Sequence, residues 1–441
     1  MTFEKFITDH GDADTARLIL SVREWPVHPD PLLSSIPPRT LAVNTIEARR
    51  KLRRKLPDWY ARTDLVYPTS LCAEQCSSRD TADYKAGIVR KVIDEYARSD
   101  GSAVADLTGG LGVDAAAFAK VADKVLYNEM DPDLAAAARH NFAALGADNI
   151  TVSNRETSSE TLPEILGSFK PDVIFLDPAR RDGSGNKVFL LEDCSPDVLK
   201  LLPGLFAASR FVLLKLSPMA DITMVAERLD RTCEKYLEGT TGKGWNVRRV
   251  REVHVVASGG ECKELLVLLD REWNGGCSLT CRENGSTLTF SPEEISSARA
   301  VLPDSTFARI IFEPGKSLTK AGVFNALCGR FGLVKLARFT HLYTISEPLS
   351  EKELEQRCEA FRNFGRIFTV KEILPLNKAS LKDVGKRWPR SEVCAKNIPM
   401  SSDELRTRLK VSSGDDAHIF GARIETPCSE DNYLIVTSRR S

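Results

Sequence analysis

The sequence has no apolar run near the ~18 residues that suggest a membrane-crossing helix. Its longest runs, such as Phe211–Leu214, are strand-sized. No membrane partner is expected. The opening segment MTFEKFITDHGDAD lacks a basic start followed by an apolar stretch, so no secretory leader is expected either. Net charge is also missing: 61 Lys and Arg balance 61 Asp and Glu. This excludes a uniformly basic nucleic-acid coat but leaves room for a local basic face. No C-x-x-C pair occurs among the 11 cysteines, and the six histidines are not clustered. The tightest cysteine spacings, Cys72/Cys76 and Cys277/Cys281, are looser than structural zinc sites favour. Ordinary reduced thiols, no metal and a cytoplasmic setting are expected.

What is present is ample for a core. The chain has 441 residues, 42% apolar and 28% charged, which suggests two to three domains. Residues 1–95 read as a helical region. Within it, Arg49–Lys55 carries six basic residues interrupted only by Leu52. This is read as a solvated helix face, with a phosphate-contacting surface as the alternative.

From residue 96 to 272 the pattern alternates between short strand-like runs and helical segments. The predicted strands are Ala103–Leu107, Lys124–Asn128, Asn149–Ser153, Asp172–Leu176, Phe211–Leu216, Glu252–Ala257 and Glu264–Leu269. Alternation implies a parallel sheet covered on both faces. The last two runs are too close for a helical crossover and predict an antiparallel hairpin. The expected fold is therefore α/β, a seven-stranded Rossmann-like sheet ending in a hairpin. A turn-rich segment follows, with the hairpin signal Asn284–Gly285. Residues 273–335 read as a small α+β module and 336–441 as another. In the latter, strands are predicted at Arg366–Leu374, Glu392–Lys396, Ala417–Ile424 and Tyr433–Thr437, with a helix at Ser402–Leu409.

The central signal is Ala105–Asp114, ADLTGGLGVD, after the first strand. Glycines allow a sharp turn and close approach of a ligand. An acid, Asp106, precedes them, and a second, Glu129, ends the next strand in NEMDP. A carboxylate at that second position can accept from two adjacent ribose hydroxyls.

Asp106–Gly112 resembles motif I of class I S-adenosylmethionine-dependent methyltransferases, with Thr108 replacing the first glycine of D-x-G-x-G-x-G. Glu129-Met130-Asp131-Pro132 resembles their ribose-binding loop. The resemblance implies that the loop Thr108, Gly109, Gly110 and Gly112 cradles the cofactor. Gly110 and Gly112 would approach its methionine part, and Asp106 would help hold its amino group. Glu129 and Met130 would flank the nucleoside, and Glu156 would face the adenine amine. The chain also resembles a narrower bacterial family with a ferredoxin-like insert and a THUMP-like carboxyl-terminal domain. The residues carrying this are Glu74–Ser78 with Tyr84–Ala86, Asp177–Arg181, Leu214–Met219, Gly260–Leu265, Thr340–Thr344 and Asn397–Met400.

On the acceptor side, Asp177-Pro178-Ala179-Arg180-Arg181 ends the fourth strand, where ligands of open α/β sheets bind, so Asp177 is expected near both cofactor loops, binding the cofactor as well as serving the transfer. The segment is similar to the Asp/Asn-Pro-Pro-aromatic motif of enzymes that methylate exocyclic amines of bases. Here Ala179 replaces the second proline and Arg180 the aromatic. An Arg plane can stack on a base or pair with phosphate; Arg180 and Arg181 could instead pair with Asp182. Lys215 is read as either a strand-end charge or a contact to an anionic substrate. Methylation at a pyrimidine carbon would need a cysteine nucleophile. The fifth strand ends Lys215-Leu216-Ser217-Pro218 without one, and Cys194 is the nearest candidate.

Arg362–Lys410 holds 12 Lys or Arg against five Asp or Glu, with Trp388 among them. Cations for phosphates and an exposed ring for stacking would suit RNA; the alternative places Trp388 in a small core. THUMP domains deliver RNA to modifying enzymes, which the resemblance implies here. The expected function is methyl transfer to a base nitrogen in structured RNA, tRNA or rRNA. A DNA or protein methyltransferase, or a catalytically weak RNA-binding scaffold, is the alternative.

Overall fold

The computed structural model describes residues 1–96, 99, 101–180, 191–241 and 248–440, with backbone only for Arg180 and 236–241. The chain forms two compact units, residues 1–251 with 266–275, and 252–265 with 276–441. Among the described residues no helix is long and apolar enough to cross a membrane.

The first unit opens with helices α1 (Phe3–His10), α2 (Thr15–Ser21), α3 (Pro38–Lys55), α4 (Pro57–Ala61), α5 (Ser70–Gln75) and α6 (Arg79–Glu95). Side chains of Thr2, Asp14, Thr69 and Ser78 cap four of them, each accepting from a first-turn N–H. The basic run of α3 serves the chain itself. Arg49 is buried with its guanidinium 4.9 Å over the Tyr60 ring. Lys51 Nζ lies 2.9 Å from the Glu74 carboxylate. Lys55 Nζ donates to the carbonyls of Ala73 (3.3 Å) and Glu74 (2.6 Å). Cations thus hold the carboxyl-terminal turn of α5, whose carbonyls have no partner within the helix.

The sheet of this unit is built from β1 (Ala103–Asp106), β2 (Lys124–Asn128), β3 (Ile150–Ser153), β4 (Val173–Leu176), β5 (Phe211–Leu216) and residues 266–270 of β7 (Glu261–Asp270); β7 follows β6 (Val250–Ser258) in a hairpin, most of β6 belonging to the second unit. Strand order is β7-β5-β4-β1-β2-β3. β1 pairs in parallel with both β2 and β4, β2 with β3, and β4 with β5. β1 and β4 are buried along their whole length, as strands covered on both faces must be. The hairpin turns on Gly259 and Gly260, at φ 62° and 79°, a conformation glycine adopts without penalty. Helices α7 (Val113–Phe118) and α8 (Pro132–Leu145) follow β1 and β2. The chain order therefore reverses at β1, and the loops after β1, β2 and β4 emerge at that point.

In the second unit, β8 (Ser278–Glu283) pairs in parallel with residues 252–257 of β6, and β9 (Ser286–Phe290) folds back on β8. Their turn is Asn284–Gly285, both at positive φ. A seven-stranded sheet contains β10 (Ile310–Pro314), β11 (Val334–Ala337), β12 (Thr340–Thr344), β13 (Gly365–Pro375), β14 (Arg390–Lys396), β15 (Ser412–Glu425) and β16 (Glu430–Arg439). Its order is β11-β12-β10-β13-β16-β15-β14. Phe312 of β10 pairs with Tyr343 on one side and Ile367 on the other, so one sheet continues across residue 335.

The helix Ser402–Leu409 begins at Ser401 with a full capping box to Glu404. A further helix, Lys378–Arg387, occupies a stretch that reads in sequence as a charge cluster. Its Leu381 and Val384 pack with Leu405 and Leu409 of the neighbouring helix. Gly385 makes this contact possible: a Cβ there would lie 1.9 Å from the Leu409 carbonyl oxygen. Gly385→Ala gains roughly 1 kcal/mol of helix propensity but forces the helices apart, which costs ~1–3 kcal/mol or more. The variant is expected to melt at lower temperature. A rise in melting temperature would show that the helix pair accommodates a methyl group.

Candidate active site

The site is built where β1, β2 and β4 end. Asp106 closes β1 and is 1% exposed. One carboxylate oxygen accepts from the Thr108 N–H at 3.1 Å, while the other, Oδ2, has no hydrogen-bond partner among the described residues. Burial pushes the Asp106 carboxyl well above the usual range, and Asp114 pushes it further. Asp177 and Glu129 act in the same direction, and the Thr108 N–H opposes them.

The loop after β1 is held by its neighbours. The Gly110 N–H donates to Glu129 Oε2 at 2.7 Å, and the Asp131 N–H to Oε1 at 2.9 Å. Each oxygen keeps a further lone pair for an outside donor. The three loop glycines serve different ends. A Cβ on Gly109 would lie 2.1 Å from the Tyr127 ring, and one on Gly112 would lie 2.6 Å from Phe142. These two are demanded by the core. Gly110 has φ 53° and nothing within 4 Å of a Cβ, so it borders open space. Thr108 has its own role: its hydroxyl accepts from the Asp177 N–H at 2.6 Å, tying the loop after β1 to the loop after β4. Asn128 ties in the loop after β3, donating to the Arg155 carbonyl (2.9 Å) and to Thr157 Oγ1 (3.0 Å). Asn154 Nδ2 donates to the carbonyls of Glu129 and Met130.

Met130 is 63% exposed, and Glu156 is exposed. Pro178 is buried behind Asp177. The Asp177 carboxylate pairs with Lys215 of β5. Lys215 is therefore neither a lone strand-end charge nor remote from the acceptor loop. The backbone of Ala179–Arg180 forms a two-residue antiparallel ladder with Cys194–Ser195. The Arg180 side chain and Arg181 lie outside the described residues. Cys194 is fully buried in that ladder, which removes it as an accessible nucleophile; it sits in a strand rather than at the head of a helix, which begins only at Val198. Trp388 packs on a core with Lys371 Nζ 4.2 Å over its ring, so it is not the open stacking face that the sequence offers as one reading. Among the described residues no group of three or more His, Cys, Asp or Glu is placed to hold a metal ion.

A second cluster lies behind the loop. Lys85 of α6 is fully buried. Its Nζ lies 2.9 Å from Ser77 Oγ and 3.1 Å from Asp114 Oδ1. Ser77 Oγ donates to Asp114 Oδ2 at 2.8 Å. In the sequence, Ser77 and Lys85 stand among the residues that carry the narrower family resemblance and Asp114 closes the glycine signal, but no expectation joins them in one cluster; a local signal for it exists. The buried positions of α6 are Thr81, Ala82, Lys85, Ala86, Ile88, Val89 and Val92, so helical spacing puts a lysine on the apolar face.

This arrangement fits S-adenosylmethionine. An unpartnered buried carboxylate oxygen calls for a cationic donor, which the ammonium of a methionine moiety supplies. Glu129 retains acceptors for a ribose. A dinucleotide would instead bring pyrophosphate to the glycine loop, against Asp106 and its acidic neighbours.

Comparison with known proteins agrees. Residues 365–439 match the family described as THUMP domain-like, and 311–351 match a ferredoxin-like domain. A solved structure from Porphyromonas gingivalis W83, designated "putative methyltransferase", is 29% identical. The match covers 100% of both chains with a TM-score of 0.73. Two proteins from strains of Mycobacterium tuberculosis, designated uncharacterized S-adenosylmethionine-dependent methyltransferases, are 24% identical over 334 residues. That span covers 74% of this chain and 79% of each relative.

Asp106→Asn separates stability from binding. Because the folded-state pKa of Asp106 is raised, the group costs stability as pH rises past its unfolded value, and the cost is relieved as pH falls. The variant is expected to melt at or above the wild-type temperature, with an advantage that grows from acid toward neutral pH. Its thermal shift on adding S-adenosylmethionine should disappear. Retention of that shift would remove Asp106 from the cofactor site.

Proposed function

We propose that this chain, an S-adenosylmethionine-dependent methyltransferase carrying ferredoxin-like and THUMP-like domains, methylates a nitrogen of a base in structured RNA, tRNA or rRNA. The observation that carries the transferase half is the orphaned Oδ2 of Asp106 beside the Glu129 cradle. We assign cofactor and transfer to residues 96–272, braced by 1–95. RNA contact is assigned to 336–441, which shares a sheet with the ferredoxin-like segment.

The cofactor would supply a methyl group already activated on a sulfonium. Asp106 would hold its ammonium, Glu129 its ribose hydroxyls and Gly110 its methionine portion, with Thr108, Gly109 and Gly112 fixing the loop. Met130 and Glu156, both exposed at the rim, would border the adenine. Asp177, 36% exposed, would accept the N–H of the acceptor nitrogen and align its lone pair with the methyl. Lys215 would hold that carboxylate in place, and Pro178 would set the backbone carbonyl before it. Arg180 would meet the base or its phosphate. Positioning and charge placement suffice for such a transfer, in which the N–C bond would form as the C–S bond breaks and a thioether leaves, with no covalent intermediate on the protein.

The RNA half is supported by charge that the protein leaves unspent. Arg387 pairs with Glu372 and Asp383, Arg366 and Lys396 with Glu313, and Arg390 with Asp416. Lys378, Lys382 and Lys386 are exposed, four residues apart on one helix, and enter no ion pair among the described residues. Such a stripe can follow a phosphate backbone.

Labelled cofactor incubated with total RNA, DNA and protein from a strain lacking the gene should mark RNA. Asp177→Ala should abolish labelling while cofactor affinity stays within about twofold. Label found only in DNA or protein would refute the RNA assignment. Neutralising Lys378, Lys382 and Lys386 together to Gln should weaken RNA binding at least tenfold. It should also flatten the dependence of log affinity on log salt by about 2–3. An unchanged salt slope would move the RNA contact elsewhere.

A further inference from the structure

The ladder between β10 and β13 ends at the pair Ile310–Thr369 and is followed by one more backbone bond, from the Val370 N–H to the Arg309 carbonyl at 2.9 Å. Where it stops, a cavity of about 600 Å³ opens, within the size range of small-ligand clefts. Residues 306–309 and 369–373 line it, with Glu351 and Arg440 beside them. Phe307 contributes a ring left 72% exposed. β13 contributes a bulge: Val370 stands opposite Thr437 and Glu372 opposite Val436, with Lys371 as the extra residue. The bulge lets Val370 and Ile373 pack on one core although they are three positions apart, and it re-aims the lysine between them.

Among the charges that line the cavity, one is left over. Arg309 and Arg440 both pair with Glu351, and Glu372 pairs with Arg387. Lys371 is exposed and enters no ion pair among the described residues. The Trp388 ring occupies one side of its ammonium, which has three donors to place. Arg387 closes the helix that carries Lys378, Lys382 and Lys386, and Trp388 follows it; Trp388 Nε1 lies 3.4 Å from the same Glu372 carboxylate that Arg387 pairs with. The lysine stripe therefore leads to the cavity. We propose that this cavity is a subsite for one unstacked base of the RNA, its face on the Phe307 ring and its phosphate on Lys371. The inference rests on the RNA reading given above. A nucleotide brings a π-face and a negative charge together, matching an exposed ring beside an unmatched cation, whereas an apolar peptide side chain would leave Lys371 unused. Trp388, packed in its own core, is not open to this role.

The test is fluorescence anisotropy of the full-length protein with two labelled probes over a range of salt: a single-stranded oligoadenylate long enough to span stripe and cavity, and an RNA duplex of equal length. Wild type should bind both. Phe307→Ala should weaken oligoadenylate binding about tenfold and spare the duplex, whose bases stay stacked on each other. Phe307→Trp should bind oligoadenylate at least as tightly as wild type. The melting temperature of Phe307→Ala should barely move, because the ring already stands mostly in water. Lys371→Gln should weaken oligoadenylate binding and flatten the dependence of log affinity on log salt by about 0.7, the share of one single-strand phosphate. Lys371→Arg should keep the wild-type slope. If Phe307→Ala loses affinity equally for both probes, or loses none for oligoadenylate, the proposal is overturned, as it is if wild type takes up the duplex alone. Wild type that binds neither probe would instead sink the RNA reading itself.

Discussion

A carboxylate held out of water with one oxygen unmatched is the constraint around which the first unit is arranged. Burying a bare charge costs several kcal/mol even after relaxation, so the surroundings of Asp106 either share that cost or wait for a cation. The structure does both. Lys85 and Lys215 answer the neighbouring Asp114 and Asp177, and backbone N–H groups answer Glu129. Asp106 keeps one oxygen without a hydrogen-bond partner among the described residues. The glycines, the Thr108 hydroxyl and the Asn128 amide then fix the geometry in which the answer arrives.

Most of this site is legible from residue order because strand ends and glycine turns are local features. Asp106, Glu129 and Asp177 stand at the ends of three runs whose apolar, β-branched character marks them as buried strands. The reasons for individual residues are less legible. Gly109 and Gly112 look alike as loop glycines, yet they yield to Tyr127 and Phe142, partners 18 and 30 residues further along the chain that cannot be paired by spacing. Thr108 reads as a departure from motif I, whereas the fold uses its hydroxyl as a strut to the Asp177 backbone. Lys85 stands in the sequence only among the residues that carry the narrower family resemblance, although helical spacing puts it on the apolar face of α6.

The second unit shows the opposite limit. The helix Lys378–Arg387 is obscured by its own lysines, because only Leu381, Val384 and Gly385 of its residues are buried. Trp388 could have served a ligand or a core, and tertiary packing with Lys371 over its ring decides for the core. Ladder pairing between residues 310–314 and 365–369 joins segments some fifty positions apart, and no local pattern announces it.

That pairing bears on how the polypeptide can be made. β10 lies between β12 and β13, so its backbone donors and acceptors are matched only after residue 369 has left the ribosome. Closing so long a loop is slow compared with forming a hairpin. A nascent chain paused near residue 335 therefore displays Ile310–Phe312 as a bare, sticky ribbon. The ferredoxin-like segment, residues 311–351, thus completes its sheet only with strand residues beyond its own end.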